Sequence, residues 1–207
     1  MQLENYYWCF KNAIPPRLCN DIIAYGNEQQ EDLAVTFGYS NNPDDMSPNQ
    51  QKELEKKRKS HIVWMDDKWI YRELHPLLRE ANRNAGWNFQ WDFSESCQFT
   101  KYKLNQYYHW HTDAGSSPYN KPDDFNSHGK IRKLSMTVSL VDGSEYEGGD
   151  FQLDFRDKEE NEPHTVKNIR SKGSVVIFPS FVWHRVTPVT SGQRYSLVCW
   201  TLGRPYV

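Results

Sequence analysis

Residues 133–141 read KLSMTVSLV, and their alternation decides the fold. Leu134, Met136, Val138 and Leu140 alternate with the hydroxylic residues Ser135, Thr137 and Ser139. Successive side chains of a strand point to opposite faces, so one face can pack on an apolar core while the other lines something polar. A polar inner lining implies a cavity. The same period recurs in RYSLVCW (194–200), which places Arg194, Ser196, Val198 and Trp200 on one face. A charged side chain sharing a face with Trp in so apolar a strand predicts burial against an anion.

Outward from these two strands, short alternating segments separated by turn residues predict strands near 96–103, 107–112, 131–141, 150–155, 164–168, 174–178, 182–187 and 193–202. Such a series is the pattern of a sandwich or barrel. Upstream, PPRLCNDIIAYGNEQQ (15–30) predicts a helix with proline at its start, and DDKWIYRELHPLLREANRNAG (66–86) a second, its stripe Ile70, Leu74, Leu77, Leu78 and Ala81 ending at Gly86. HIVWM (61–65) reads as a strand, and Tyr6 to Phe10 as an extended piece. The polar, then densely charged stretch 38–60 reads as a solvated surface flap with one short exposed helix. The expected architecture is mainly β with flanking helices: a jelly roll braced by N-terminal helices, in one domain over 1–207 with helical support and flap in 1–94 and the β core in 95–203.

The chain of 207 residues is long enough for one well-packed core. With 25 basic and 27 acidic residues it has no global basic surface, so no nucleic-acid partner is expected. No stretch is apolar enough for a membrane helix, and MQLENYYWCFKNAIPP lacks the basic start and apolar run of a secretory signal. The expectation is a soluble cytoplasmic protein without a membrane partner. Its four cysteines are scattered, with no C-x-x-C pair to suggest zinc or redox chemistry.

Two further stretches carry chemistry. YYHWHTDAG (107–115) sets His111 and Asp113 two apart at a strand end, able to offer a nitrogen and a carboxylate oxygen to one ion. WHRVTPVTSGQR (183–194) adds His184 and, ten residues on, Arg194. Two His and one carboxylate leave several positions open on a metal, which suits Fe(II) oxygenases; zinc prefers a tetrahedron with one open position. A zinc hydrolase leaves Arg194 without a purpose. A guanidinium matches a carboxylate bidentately and stays charged when buried.

HTD (111–113), EGGDFQL (147–153), GSVVIFPSFVWHRVTPVTSGQR (173–194) and Trp200 together resemble the core of the 2-oxoglutarate- and Fe(II)-dependent dioxygenases of the prolyl 4-hydroxylase class, and among them the PKHD-type hydroxylases. The resemblance covers residues 95–203. It implies a double-stranded β-helix, Fe(II) held by His111, Asp113 and His184, and the distal carboxylate of 2-oxoglutarate on Arg194. It also implies O2 as co-substrate, L-ascorbate as the expected reductant, and hydroxylation of a substrate C–H bond as 2-oxoglutarate is decarboxylated to succinate. A peptidyl proline is the substrate the class suggests. A small molecule or amino acid, or a non-catalytic jelly-roll binding module, are the other readings.

Secondary positions stay open. Tyr102 resembles a tyrosine that helps hold 2-oxoglutarate, or else packs across strands. Ser139 stands where relatives place a tyrosine on the distal carboxylate, and Thr137 is an equal candidate. Trp200 is expected in the pocket wall, with Trp110 and Trp183 as supports of opposite parity. His109 shares parity with His111 and lines the entrance at most, while His61, His75, His128 and His164 read as exposed or locally bonded. The long polar loop 114–130 follows Asp113 directly and is expected to overhang the metal.

Overall fold

The computed structural model describes residues 3–29, 32–33, 47–156 and 162–206. In chain order the elements are β1 (Trp8–Phe10), α1 (Pro16–Glu28), β2 (Asp32–Leu33), α2 (Pro48–Lys57), β3 (Arg58–Lys59), β4 (His61–Met65), α3 (Lys68–Asn84), β5 (Phe93–Ser94), β6 (Cys97–Tyr102), β7 (Tyr107–His111), β8 (Ile131–Ser139), β9 (Tyr146–Gly148), β10 (Phe151–Asp154), β11 (His164–Thr165), β12 (Val175–Pro179), β13 (Trp183–Val186), β14 (Val189–Gly192) and β15 (Arg194–Gly203). Among the described residues, no helix is long and apolar enough to cross a membrane.

These strands form a jelly roll. An eight-stranded major sheet runs β1-β12-β8-β15-β6-β4-β2, with β5 also paired to β15, and a five-stranded minor sheet runs β11-β10-β13-β7-β3. Strands β9 and β14 form a separate hairpin ladder. The alternation of 133–141 sorts as its pattern dictates: Leu134, Met136, Val138 and Leu140 join the core packed on the helices, where Ile22 of α1 and Ile70, Leu74, Leu78 and Ala81 of α3 are buried. A second, smaller core of Phe151, Leu153, Phe178, Val182 and Val186 fills the space beside the minor sheet.

All eight expected strands form. The one expected over 164–168 stops at Thr165 and turns into a 3-10 helix, Lys167–Arg170. Arg170 explains the turn, since its guanidinium donates to the carbonyls of Gly143, Tyr146 and Gly148 and to Asp150, tying down the β9 segment. That clamp needs Arg170 aimed inward, where a continuing strand would direct it elsewhere. The short β9 and β14, three and four residues long, were too brief for their alternation to register.

One expectation needs correction. Residues 38–46 of the charged stretch lie outside the described residues, but the end of that stretch is not a solvated face: Arg58 is 5% exposed and Ser60 is fully buried. The backbone Arg58–Lys59 pairs with Tyr108 and Tyr107 of β7, adding β3 to the edge of the minor sheet and turning Arg58 inward. Loop 114–130, expected to overhang the metal, supplies no residue to the lining of the metal cavity; its Tyr119 donates to Glu95 at 3.2 Å, the carboxylate that also pairs with Arg132 beside Asp113, and its Lys130 lies 2.7 Å from Asp92.

Candidate metal and co-substrate site

Register brings the histidines together. Strands β7 and β13 pair antiparallel with His184 directly opposite His111, and the two rings lie 4.0 Å apart between centroids. Asp113 follows just past the end of β7, where its N–H and that of Ala114 both donate to the carbonyl of Ser180, at 2.9 and 2.8 Å. This double bond folds the chain back and turns the carboxylate toward both rings. Donor atoms of His111, Asp113 and His184 all lie within 4.8 Å of one another.

The ring nitrogens have distinct roles. His111 Nδ1 lies 2.7 Å from the carbonyl of His109, and His184 Nδ1 lies 3.0 Å from that of Val182. A carbonyl only accepts, so each Nδ1 carries the hydrogen and each Nε2 keeps its lone pair free. Those Nε2 atoms face Asp113, at 3.8 Å for His111 and 3.5 Å for His184. Donors bound to one ion at about 2.1 Å are roughly 3.0–3.4 Å apart, so a small contraction would bring all three onto one metal. One anionic oxygen and two neutral nitrogens on one side suit a divalent ion with coordination positions left over.

The carboxylate is fixed from behind. Ser135 Oγ donates to Asp113 Oδ2 at 2.7 Å and lies 2.9 Å from Ser180 Oγ, while Arg132 Nη1 stands 3.9 Å from Oδ1. Burial works against the ionised form, but His184, His111, Arg132 and the Ser135 hydrogen bond outweigh it and hold the pKa at about 2. Burial, and then the proximity of His184, push the His111 imidazole well below its ordinary value. Both shifts keep the donors unprotonated and ready for a cation.

Arg194, Ser196, Val198 and Trp200 line one cavity with the triad, as the alternation of 194–200 predicts. Arg194 is 1% exposed, yet among the described residues its guanidinium donates only to Ser196 Oγ, at 3.2 Å, and lies 5.3 Å from the ring centroid of Tyr102. Among the described residues no carboxylate comes within ion-pair distance of it. Such a cation is costly to bury without an anion, and a dicarboxylate reaching the metal from that direction supplies one. The residues therefore fit both Fe(II) and 2-oxoglutarate.

Gly149 makes room for this arginine. Its φ is +60°, and a Cβ there would stand 3.1 Å from Arg194 Cδ; at Gly148, φ +66°, a Cβ would fall 2.2 Å from the carbonyl oxygen of Pro188. The paired glycines of EGGDFQL are thus required by close approach as well as by backbone conformation.

Tyr102 and Thr137 line the cavity, Tyr102 directly across the ladder from Arg194. Ser139 is absent from the lining and donates its hydroxyl to the carbonyl of Val141 at 3.0 Å. Trp200 is in the wall, and its Nε1 is a buried side-chain donor without a partner among the described residues. The ring of His109 is exposed and outside the donor cluster. Trp110 and Trp183 support from outside, each under an arginine, Arg185 at 4.6 Å and Arg156 at 4.2 Å. His61, His75, His128 and His164 are all engaged in local hydrogen bonds.

Arg58 and Gln98 belong to the same cavity and escaped the sequence reading. Arg58 donates to Gln98 Oε1 at 2.6 Å and to Ser60 Oγ at 2.9 Å, and its guanidinium carbon lies 4.4 Å from the centroid of Tyr108. Tyr108 in turn stacks on His111 at 3.5 Å between centroids. The available signal was the alternation Arg58, Lys59, Ser60, a short hydroxyl following an arginine by two, and it is masked by the surrounding charge run.

Comparison with known proteins agrees with this geometry. Over 103 residues the chain is 34% identical to a PKHD-type hydroxylase of Alteromonas mediterranea, a match that takes in 49% of this chain and 41% of that protein. The match therefore spans less than half of that relative's length. Among solved structures, the viral collagen prolyl hydroxylase of Paramecium Bursaria Chlorella virus-1, in complex with 2-oxoglutarate, superposes with TM-score 0.63 at 18% identity over 97% of each chain. A prolyl hydroxylase of Trichoplax adhaerens, complexed with a peptide fragment of the hypoxia inducible factor oxygen degradation domain, gives TM-score 0.63 at 16% identity over 96% of this chain and 84% of that one. At such identities these likenesses speak for the fold alone. Residues 97–202, just over half of the chain and spanning the triad, Tyr102, Thr137, Arg194 and Trp200, match the 2OG-Fe(II) oxygenase superfamily as a whole, and to that superfamily the chain belongs.

Proposed function

We propose that the protein is a 2-oxoglutarate- and Fe(II)-dependent dioxygenase that hydroxylates a prolyl residue in a peptide. The observation that carries this is Arg194, a buried guanidinium with no carboxylate at ion-pair distance among the described residues, lining the same cavity as His111, Asp113 and His184. A metal site alone leaves that arginine unexplained. Bound Fe(II), with 2-oxoglutarate and O2, supplies the oxidising chemistry: the 2-oxo acid leaves as succinate and CO2, and one oxygen atom enters a substrate C–H bond.

The chain's own residues bind and orient. His111, Asp113 and His184 hold the metal through two Nε2 atoms and a carboxylate oxygen, and Ser135 with Ser180 keeps that carboxylate aimed. Arg194 anchors the distal carboxylate of 2-oxoglutarate beside Tyr102 and Thr137, which places its 2-oxo acid end toward the metal. Arg58, Gln98, Tyr108 and Trp200 form the remaining polar and aromatic wall, where the substrate lies. A peptide substrate is supported by the peptide complex of the Trichoplax neighbour. Four free cysteines suit a reducing compartment, the cytoplasm, and L-ascorbate is the reductant that keeps the iron ferrous.

The test is succinate formation by purified protein with Fe(II), ascorbate, O2 and 2-oxoglutarate, first alone and then with proline-containing peptides, free amino acids and other small molecules. Slow turnover without substrate, stimulated by a peptide and by no small molecule, is expected. Turnover with zinc and none with iron refutes the oxygenase reading, and stimulation by a free amino acid alone refutes the peptide.

A further inference from the structure

A second cavity, of about 770 Å3, lies apart from the metal site and is lined by Trp87, Phe89, Trp91, Tyr206, Lys133 and Arg204, among others. Lys133 enters it because of an irregularity in the sheet. Between β8 and β15 the register passes from Thr201↔Leu134 to Leu202↔Arg132, leaving Lys133 as the extra residue of a bulge. A bulge re-aims the side chains on either side of it. Here Arg132 goes to Glu95, Asp113 and the face of Trp200, while Lys133 goes to the second cavity.

Lys133 is 4% exposed, and among the described residues its ammonium has no hydrogen-bond acceptor and no carboxylate. The ammonium stands over the ring of Tyr206, with Nζ 3.5 Å from the centroid. A cation–π contact answers only part of the charge of an ammonium that faces into the cavity. Burial accordingly pulls the amine's pKa down. The acid nearest at hand is committed elsewhere, since Asp92 on the cavity rim is held at 2.7 Å by Lys130.

The walls are mixed, with the aromatic rings set among polar residues such as Asn88, Gln90 and Asp92. Phe89 meets Tyr206 edge to face at 5.0 Å between centroids and lies 6.5 Å from Trp87 in a parallel stack. The indole N–H of Trp87 is already satisfied by the carbonyl of Asn5 at 2.6 Å, so that ring offers only surface. One ammonium without a carboxylate partner among the described residues, with Arg204 also in the lining, calls for a single negative charge. The aromatic rings call for a flat, apolar body.

We propose that this cavity binds a small aromatic carboxylate, its carboxylate on Lys133 and its ring between the side chains of Trp87, Phe89, Trp91 and Tyr206. The probe is benzoate, titrated into the full chain by calorimetry, with benzyl alcohol and acetate as partners lacking the charge and the ring. Saturable binding of benzoate at one site is expected, at least tenfold tighter than either partner. Lys133→Met should weaken it tenfold or more, and Arg194→Ala should leave it unchanged, which separates this cavity from the metal site. Lys133 donates no side-chain hydrogen bond to the fold, and its carbonyl, which accepts from Ser180 N at 3.0 Å, survives the substitution. Should the variant nevertheless misfold, the unaltered protein still answers: benzoate should shield Lys133 from an amine-acylating reagent, read by peptide mass spectrometry. Absence of saturable binding, equal binding of benzyl alcohol, loss of binding on Arg194→Ala, or unshielded Lys133 at saturating benzoate each overturns the proposal.

Discussion

Arg194 donates to Ser196, two residues along the same strand, at 3.2 Å, and no carboxylate among the described residues answers its charge. The pocket is thus built around an anion that the chain itself does not supply. Truncating one partner of a buried charge pair costs about 3 to 5 kcal/mol, or roughly two to three and a half powers of ten in affinity. Arg194→Ala should raise the 2-oxoglutarate requirement at least about a hundredfold while Fe(II) binding and the melting midpoint stay near the parent's. Arg194→Lys should recover only part, because a point charge cannot reproduce the two parallel bonds of the fork. Unchanged 2-oxoglutarate affinity in the Ala variant would show that the anchor lies elsewhere.

The metal donors can be ranked by substitution. Asp113→Ala removes the one anion of the cluster, so Fe(II) affinity should collapse. Ser135→Ala removes the 2.7 Å bond to Asp113 Oδ2 and leaves the donor set intact; supporting contacts of this kind are worth about 10- to 100-fold in metal affinity. His109→Ala should change affinity little, since its ring is exposed and only its backbone carbonyl serves His111. Equilibrium competition with a chelator measures all three, and equal losses for Asp113→Ala and His109→Ala would mean the donor set is wrongly drawn.

Legibility in the sequence followed the range of the interactions. The face shared by Arg194, Ser196, Val198 and Trp200 was readable because strand alternation is local and those four residues carry it unaided. His111 and His184 were readable as a pair only through their chemistry, and the register that sets them opposite each other is a property of the sheet. Arg58 was unreadable for the same reason. Its burial depends on a two-residue strand pairing with β7, some fifty residues away, and the faint alternation Arg58, Lys59, Ser60 is masked by the charge run around it. Thr137 and Ser139 share strand parity, so alternation could not separate them; Thr137 lines the cavity, while Ser139 donates its hydroxyl to the carbonyl of Val141, two residues on. Lys133 depends on a bulge, which shifts parity without leaving any mark in the residue pattern.

His75 makes the fold sensitive to acid at a distance from the metal. Its ring is partly buried against Tyr71 and Trp91 and bonded to Ser94 Oγ at 3.0 Å, and burial, aided by the charge of Arg79, lowers its pKa from the ordinary 6.5. The folded state therefore binds the proton more weakly than the unfolded chain. The stability this represents is fully present above 6.5 and is lost as pH falls through the lowered folded value. His75→Gln keeps a side chain able to bond Ser94 and cannot titrate. Melting curves between pH 7.5 and about 5 should show a shallower fall for the variant than for the parent; parallel curves would mean that His75 does not contribute to acid lability.

The two glycines of the EGGD turn should fail in different ways. At Gly148 a Cβ would sit 2.2 Å from the backbone oxygen of Pro188, which cannot yield without opening the β9–β14 ladder. Gly148→Ala should therefore lower the melting midpoint, with left-handed backbone strain of about 1–3 kcal/mol adding to the clash. At Gly149 the nearest atoms are side chains, Val189 Cγ2 at 3.0 Å and Arg194 Cδ at 3.1 Å, and these can move by a few tenths of an ångström. Moving Arg194 displaces the guanidinium that takes the distal carboxylate. Gly149→Ala should thus remain folded, at the same strain cost of about 1–3 kcal/mol, and show a raised KM for 2-oxoglutarate with Fe(II) affinity preserved. Calorimetry and initial rates across 2-oxoglutarate concentrations separate the two. A Gly149→Ala enzyme with an unchanged KM would show that the arginine's stem does not depend on the missing Cβ.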